Sequence, residues 1–289
     1  MNAVIEEAVR QHTDQPDYIR TASGLVLKAQ GAQKFWFDPQ PPRATVQEER
    51  QYRRTRLAAA FRIFAQHGFD HGLAGHITVR DPELHDHFWV NPLGLHFSRI
   101  RVSDLLLVNA RGETVVGERP LNKAAFAIHA AIHEVHPQLV AAAHTHSTYG
   151  KAWSALGRTL EPLTQDSCVF YEDHALFDDF TGMVVDTSEG ERIAHALRKP
   201  AGGLHKGVIL RNHGILTAGP SLEAAAWWYI ALENACQAQL LAQAAGQPVP
   251  IDHATAHFTH SQIGGTEGAI HAFHSLYEGL VAAEPDVLN

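Results

Sequence analysis

Apolar residues return at helical intervals through Val46–His67, "VQEERQYRRTRLAAAFRIFAQH", and the run stops at Gly68, a residue suited to a left-handed helix end. The period then changes. "HITVR" (76–80), "HFWVNP" (87–92) and "DLLLVNARGETVVGE" (104–118) alternate or run apolar between turn signals, as antiparallel strands and hairpins do. Helical spacing resumes in "NKAAFAIHAAIHEVHP" (122–137), ended by Pro137, and leads into the apolar strand "QLVAAAHTH" (138–146). A short helix is predicted over Tyr149–Leu156, followed by a strand "MVVD" (183–186), a helix "SEGERIAHALRK" (188–199) and the strand–turn–strand "GVILRNHGILTAG" (207–219). The longest helical pattern spans Ser221–Gly246, with Ser221 as N-cap and Gly246 just past the end.

Both ends of the chain pattern less strongly. Residues 1–43, which close on Asp38-Pro39-Gln40-Pro41-Pro42, read as an arm or linker; 44–250 reads as the main domain. Residues 251–289 read as a His- and Gly-rich tail with one helix near Thr266–Val281. A helix, a block of strands, and then strands interleaved with helices predict a mixed α/β sandwich whose sheet is covered by helices. No Gly-x-Gly-x-x-Gly follows a strand and no phosphate-binding loop ending in Gly-Lys-Ser/Thr occurs, which argues against a nucleotide enzyme.

Composition narrows the function classes. The 289 residues are 45% hydrophobic and 19% charged, an ordinary globular balance that supports a core. A formal charge of -8 without a Lys/Arg block argues against nucleic acid as a partner. The N-terminus does not read as a signal peptide and no long uncharged apolar run is present, so a soluble cytoplasmic protein without membrane partners is expected. Two cysteines, Cys168 and Cys236, suit a reducing compartment and read as small core residues.

The 21 histidines are the anomaly, and they make any single His-x-His pattern weak on its own; one such pattern, His85-Asp86-His87, falls in a polar turn. His144-Thr145-His146 differs, because it closes an apolar strand. Residues i and i+2 of a strand share a face, so the two imidazoles can meet one ion. A third ligand is needed, and "LRNHGILTAG" offers His213 where an apolar strand runs into a turn at Gly214, a residue free to adopt conformations that bulkier ones avoid. Each histidine alone has the plain alternative of a solvated or hydrogen-bonded side chain. His253, His257, His260, His271 and His274, in the tail, are expected to be solvent exposed.

"GLAGHITVRDPE", "FWVNPLGLHFSRI", "AAAHTHS" and "RNHGILTAG", in this order and spacing, resemble the class II aldolase/adducin family over about Val46–Ala245. The resemblance implies a three-layer α/β/α sandwich on a mainly antiparallel or mixed sheet. It also implies a homotetramer with its site at a subunit interface. The metal ligands it implies are His144, His146 and His213, holding one divalent ion per subunit, Zn, Mn or Fe(II). The chain departs from the sugar-phosphate aldolases of that family. Their Ser-Ser-Glu run, whose glutamate is the base, corresponds to Lys123-Ala124-Ala125; their phosphate-binding asparagine corresponds to His76, and their catalytic tyrosine to Gln165.

An unphosphorylated acid is therefore the expected substrate, with Gly75, Lys123 and Gln165 as candidate binding residues. His76, Glu172 and His174 are the candidates for the proton transfer that the missing glutamate would have performed. The first expectation is a metal-dependent lyase that breaks a carbon–carbon bond of a hydroxy, keto or aromatic acid, by decarboxylation or retro-aldol cleavage. The alternatives are a non-heme Fe(II) oxygenase acting on a phenolic or 2-keto acid, and a non-catalytic assembly domain like those of adducins.

Overall fold

The computed structural model describes residues 43–182 and 187–289, together with the backbone of 18–20 and 26–28. β1 (Tyr18–Arg20) and β2 (Val26–Lys28) pair antiparallel; the rest of the expected N-terminal arm, and the strand expected at 183–186, lie outside the described residues. The first helix, α1 (Val46–Gln66), begins where Thr45 and Glu48 cap one another: Thr45 Oγ1 accepts from the Glu48 amide, and the Glu48 carboxylate accepts from the Thr45 amide. Four strands follow, β3 (His76–Arg80), β4 (His87–Val90), β5 (Leu106–Asn109) and β6 (Thr114–Val116), and then α2 (Lys123–Val135). β7 (Ala141–Thr145) runs straight into α3 (Thr148–Ser154). The chain continues through β8 (His174–Phe177), α4 (Thr187–Ala196), β9 (Gly207–Leu210), β10 (Gly214–Gly219), α5 (Leu222–Ala245), α6 (His253–Ile263) and α7 (Thr266–Ala283).

The eight later strands form one sheet in the order β6-β5-β4-β3-β7-β10-β9-β8, antiparallel throughout except for the parallel β8–β9 pair. Alternation along the strands sorts the core into two faces. Ile77, Val79, Ala141, Ala143 and Ile215 pack under α1, α5 and α7. Ala142, Val208, Leu210 and Leu216 pack under α2 and α4. The result is the expected three-layer α/β/α sandwich on a mixed sheet. Burying Phe61 and Phe64 of α1 fully contributes about 1.5–3 kcal/mol for each ring.

Two elements escape the sequence pattern. β8 reads "HALF", without β-branched residues, and becomes a strand only because β9 offers it a parallel edge. α6, "HATAHFTHSQI", lacks an amphipathic stripe; its N-cap Asp252 accepts from the Thr255 amide, and Ala256 and Phe258 are buried. The segment expected as a tail is therefore two helices and a final turn, and Ala269, Phe273, Leu280 and Val287 belong to the main core. His260, expected to be solvated, lies 3.0 Å from the buried Asp173 carboxylate. Trp228 and Tyr229 are buried in this chain's own core, since α5 is covered by the sheet on one side and by α7 on the other. Among the described residues no helix is long and apolar enough to cross a membrane.

Asp81, at the end of β3, ties α1 to the β3–β4 hairpin. Its carboxylate accepts from Arg50 Nε at 2.7 Å and Nη2 at 2.9 Å, from Trp89 Nε1, and from the Glu83 and Leu84 amides. Burial alone would raise this carboxyl, but those donors, Arg50 foremost, hold it well below the usual range. Its contribution is thus complete above the ordinary aspartate value and is lost as the pH falls through the lower folded-state value. Asp81→Asn is expected to cost about 1–3 kcal/mol at neutral pH. Urea unfolding should show that gap closing on acidification below about pH 4. Equal midpoints for variant and wild type at neutral pH would contradict the assignment.

Candidate metal centre

β3, β7 and β10 are neighbours, and their register sets up the site. His76 pairs with His144 across β3–β7, and His144 pairs with Leu216 across β7–β10, so His76 and His144 stand side by side on the face covered by α2. His144 Nδ1 lies 2.8 Å from the Ile215 carbonyl oxygen, which can only accept; the proton is therefore on Nδ1 and the Nε2 lone pair is free. His146 is one residue past the end of β7, because the β7–β10 ladder closes at Thr145–Ile215. His213 occupies the three-residue turn between β9 and β10, where Asn212 takes a φ of 58° and Gly214 a φ of 152°. A Cβ at Gly214 would meet the Thr145 carbonyl oxygen at 3.3 Å, so the glycine lets the turn close against β7.

Three rings from two separate β segments thereby meet. Their centroids are 4.7–5.3 Å apart, and one nitrogen from each lies within 4.8 Å of the others. His146 Nε2 and His213 Nε2 stand 3.2 Å apart. Two nitrogens bonded to one tetrahedral ion at about 2.0–2.1 Å would be about 3.3 Å apart, so this donor set fits a divalent metal of nitrogen preference. Burial lowers the pKa of all three, aided at His144 and His213 by the neighbouring imidazoles; His213 is pushed down to about 4. All three are neutral at physiological pH, the state in which imidazole coordinates metal.

The rings open on a cleft of about 680 Å³. Leu73, Leu93, Ile128 and Phe180 form its apolar wall, and among the described residues Lys151 is the only Lys or Arg that lines it. His76 lines the cleft as well. It is 4% exposed, neither ring nitrogen has a hydrogen-bond partner among the described residues, and its ring centroid lies 4.0 Å from that of His129. Burial, with neighbouring His129 second, holds its pKa well below the ordinary value. A buried, neutral, unpartnered imidazole facing a cavity is a donor or acceptor waiting for a ligand.

The other sequence-selected residues fall elsewhere, apart from Gly75, which lines the cleft. Lys123 is exposed at the start of α2, and Gln165 is exposed ahead of the short 3-10 helix Asp166–Phe170; neither lines the cleft. Glu172 is exposed, at a φ of 54°. His174 is buried, but both its nitrogens are engaged by backbone, Nδ1 with the Phe170 carbonyl and Nε2 with the Leu160 amide. The cleft residues that sequence reasoning missed include Lys151, Asn122, Asn212 and Phe180. Asn212 sat within a quoted motif. Lys151 and Phe180 carry no local signal, because only the packing of α3 and of the segment after β8 brings them to the cleft.

Comparison with known proteins agrees with the fold. The profile described as "Class II Aldolase and Adducin N-terminal domain" matches residues 55–240. The chain is 46% identical over 254 residues to decarboxylase NovR of Streptomyces niveus, covering 87% of this chain and 92% of that one. It is also 46% identical over 254 residues to 4-hydroxy-3-prenylphenylpyruvate oxygenase/4-hydroxy-3-prenylbenzoate synthase of Streptomyces roseochromogenus subsp. oscitans, covering 87% and 90%. Among solved structures it is similar to L-fuculose 1-phosphate aldolase from Glaciozyma antarctica PI12, with a TM-score of 0.79, 44% identity and coverage of 87% and 97%.

The floor of the site makes a sharp steric demand. Gly75 has a φ of +103°, and a Cβ there would lie 3.0 Å from Thr145 Cβ and Cγ2 and 3.3 Å from Phe97 Cζ. Gly75→Ala is expected to cost about 1–3 kcal/mol in urea unfolding, through backbone strain and overpacking against Thr145. An unchanged midpoint would mean that β7 yields freely beside His144.

Proposed function

The chain belongs to the class II aldolase/adducin family, and on that premise we propose that it is a divalent-metal-dependent lyase acting on an unphosphorylated aromatic hydroxy or keto acid. The observation that carries the reading is three neutral imidazoles, His144, His146 and His213, at one end of a largely apolar cleft. A divalent ion held by them would supply a Lewis acid for the negative charge left on the substrate's oxygen when a carbon–carbon bond breaks.

The chain's own residues would do the rest. Lys151 is placed to pair with the substrate's carboxylate, taking the place of the phosphate-binding residues of sugar-phosphate aldolases. Leu73, Leu93, Ile128 and Phe180 offer a wall for an aromatic ring and exclude water from the reacting carbon. In decarboxylation, the electron pair of the breaking bond stays on the substrate as carbon dioxide leaves. The carbanionic carbon then takes a proton, and His76 is the group facing the cleft that can deliver it from a ring N–H and regain it from solvent. Ala125 stands where aldolases carry their base, which favours a reaction that needs a proton donor over one that needs proton removal.

The name of the Streptomyces roseochromogenus relative supports a second reading, oxidative cleavage of a phenolic 2-keto acid by Fe(II) and dioxygen. The exposed Leu73 and Phe180 at the mouth, 66% and 46% accessible, support a homotetramer that closes the cleft at a subunit interface.

Metal-reconstituted protein should release carbon dioxide from an aromatic 3-keto acid, whose breaking bond can leave its electron pair on the polarised carbonyl oxygen as an enolate, at the same rate with and without oxygen. Alanine at His144, His146 or His213 should lower both metal content and turnover by more than about a hundredfold. His76→Gln should keep the metal while slowing turnover by about 10²–10⁴-fold. Product only in the presence of oxygen would move the assignment to the oxygenase reading, and a fully active His76→Gln would remove His76 from the mechanism.

A further inference from the structure

His146 sits differently from His144. The β7–β10 ladder ends at Thr145, so His146 is the first residue past the sheet. Its ring's one hydrogen-bonding contact among the described residues is with His213. No ladder pairing holds its backbone, yet its ring has to match that of His144, held by the sheet, and that of His213, held by the β9–β10 turn.

Two side chains of α5, one turn apart, hold the chain on either side of it. The fully buried Tyr229 hydroxyl donates to the Thr145 carbonyl at 2.9 Å and accepts from the Thr145 amide at 3.2 Å. Thr145 Oγ1 and Ser147 Oγ lie 2.8 and 2.9 Å from it. Glu233, 3% exposed, accepts from Ser147 Oγ at 2.5 Å, from the Tyr149 amide at 2.8 Å and from the Gly150 amide at 2.6 Å. Ser147, the N-cap of α3, makes no side-chain cap bond of its own, so the first amides of α3 are met by a carboxylate from another helix. Gly150 leaves room for that carboxylate: a Cβ there would lie 2.8 Å from Glu233 Oε2 and from Ile215 Cγ1.

Buried tyrosines and glutamates need partners wherever they occur, and stability alone would account for some of these bonds. What sets this pair apart is that every hydrogen bond described for either side chain falls on residues 145–150, the segment that contains His146. We infer that Tyr229 and Glu233 are positioning residues that hold the Thr145–Gly150 segment so that His146 completes the three-histidine site, and that they thereby set its metal affinity. The inference rests on the three histidines holding an ion. Neither side chain touches the cleft; both act through the backbone.

The test strips wild type, Tyr229→Phe and Glu233→Gln with a chelator and measures Zn(II) affinity by competition with a chromophoric chelator. Visible spectra of the Co(II)-loaded proteins report the ligand geometry. Each variant is expected to bind Zn(II) about 10–100-fold more weakly, with altered cobalt bands, while the metal-free proteins still melt cooperatively. Gly150→Ala, which presses on Glu233 from the other side, is expected to weaken binding in the same direction. Lower melting temperatures with unchanged affinity and unchanged cobalt bands would overturn the positioning role and leave the metal site standing. A wild type that binds no ion would instead overturn the metal reading. If Glu233→Gln fails to fold, Tyr229→Phe, which loses one oxygen and keeps the ring, decides by the same two readouts.

Discussion

His144 donates from Nδ1 to the Ile215 carbonyl across the β7–β10 ladder, and that bond settles which nitrogen of the ring is left with a lone pair. The ladder fixes where the ring stands, and the bond fixes how it presents itself. Pairing of β7 with β10 also brings the turn that carries His213 beside the end of β7. Burial then keeps all three imidazoles neutral, so three charges never have to be crowded together. Each of these steps is an ordinary consequence of strand pairing and desolvation; together they leave three nitrogens facing one point.

The same sheet decides what lies next to that point. Because β3 flanks β7 on the side opposite β10, the residue paired with His144 is His76, and it enters the cleft with no hydrogen-bond partner among the described residues. The sequence resemblance places a phosphate-binding asparagine at this position in sugar-phosphate aldolases and their glutamate base at Ala125. His76 is a neutral imidazole where the resemblance places that asparagine. The apolar wall of Leu93, Ile128 and Phe180 accords with a substrate bulkier and less polar than a sugar phosphate.

Much of this was legible in the amino-acid sequence, for reasons that mark where such reading stops. Strands β7, β9 and β10 carry strong apolar runs, and His144 and His146 at the end of β7 and His213 just past β9 are legible from period and position. The α/β/α layering followed from element order and the family resemblance. β8 and α6 were not legible, because one borrows its conformation from a neighbouring edge and the other from its cap and its burial against the core. Glu172 and His174 were close in sequence to a charged, His-containing stretch that resembled chemistry. In the folded chain His174 has given both nitrogens to backbone and Glu172 points to solvent. Lys151, Tyr229 and Glu233 could not be tied to the site in advance, since what relates them to it is the docking of α3 and α5, a tertiary fact without a local pattern.

X-ray absorption at the metal edge of the reconstituted wild-type protein addresses the central claim most directly, because it counts imidazoles around the ion rather than inferring them from loss of function. The account predicts three imidazole nitrogens at about 2.0–2.1 Å, with the remaining positions taken by solvent or substrate oxygen. A first shell of oxygen alone, or one with fewer than three imidazoles, would contradict it.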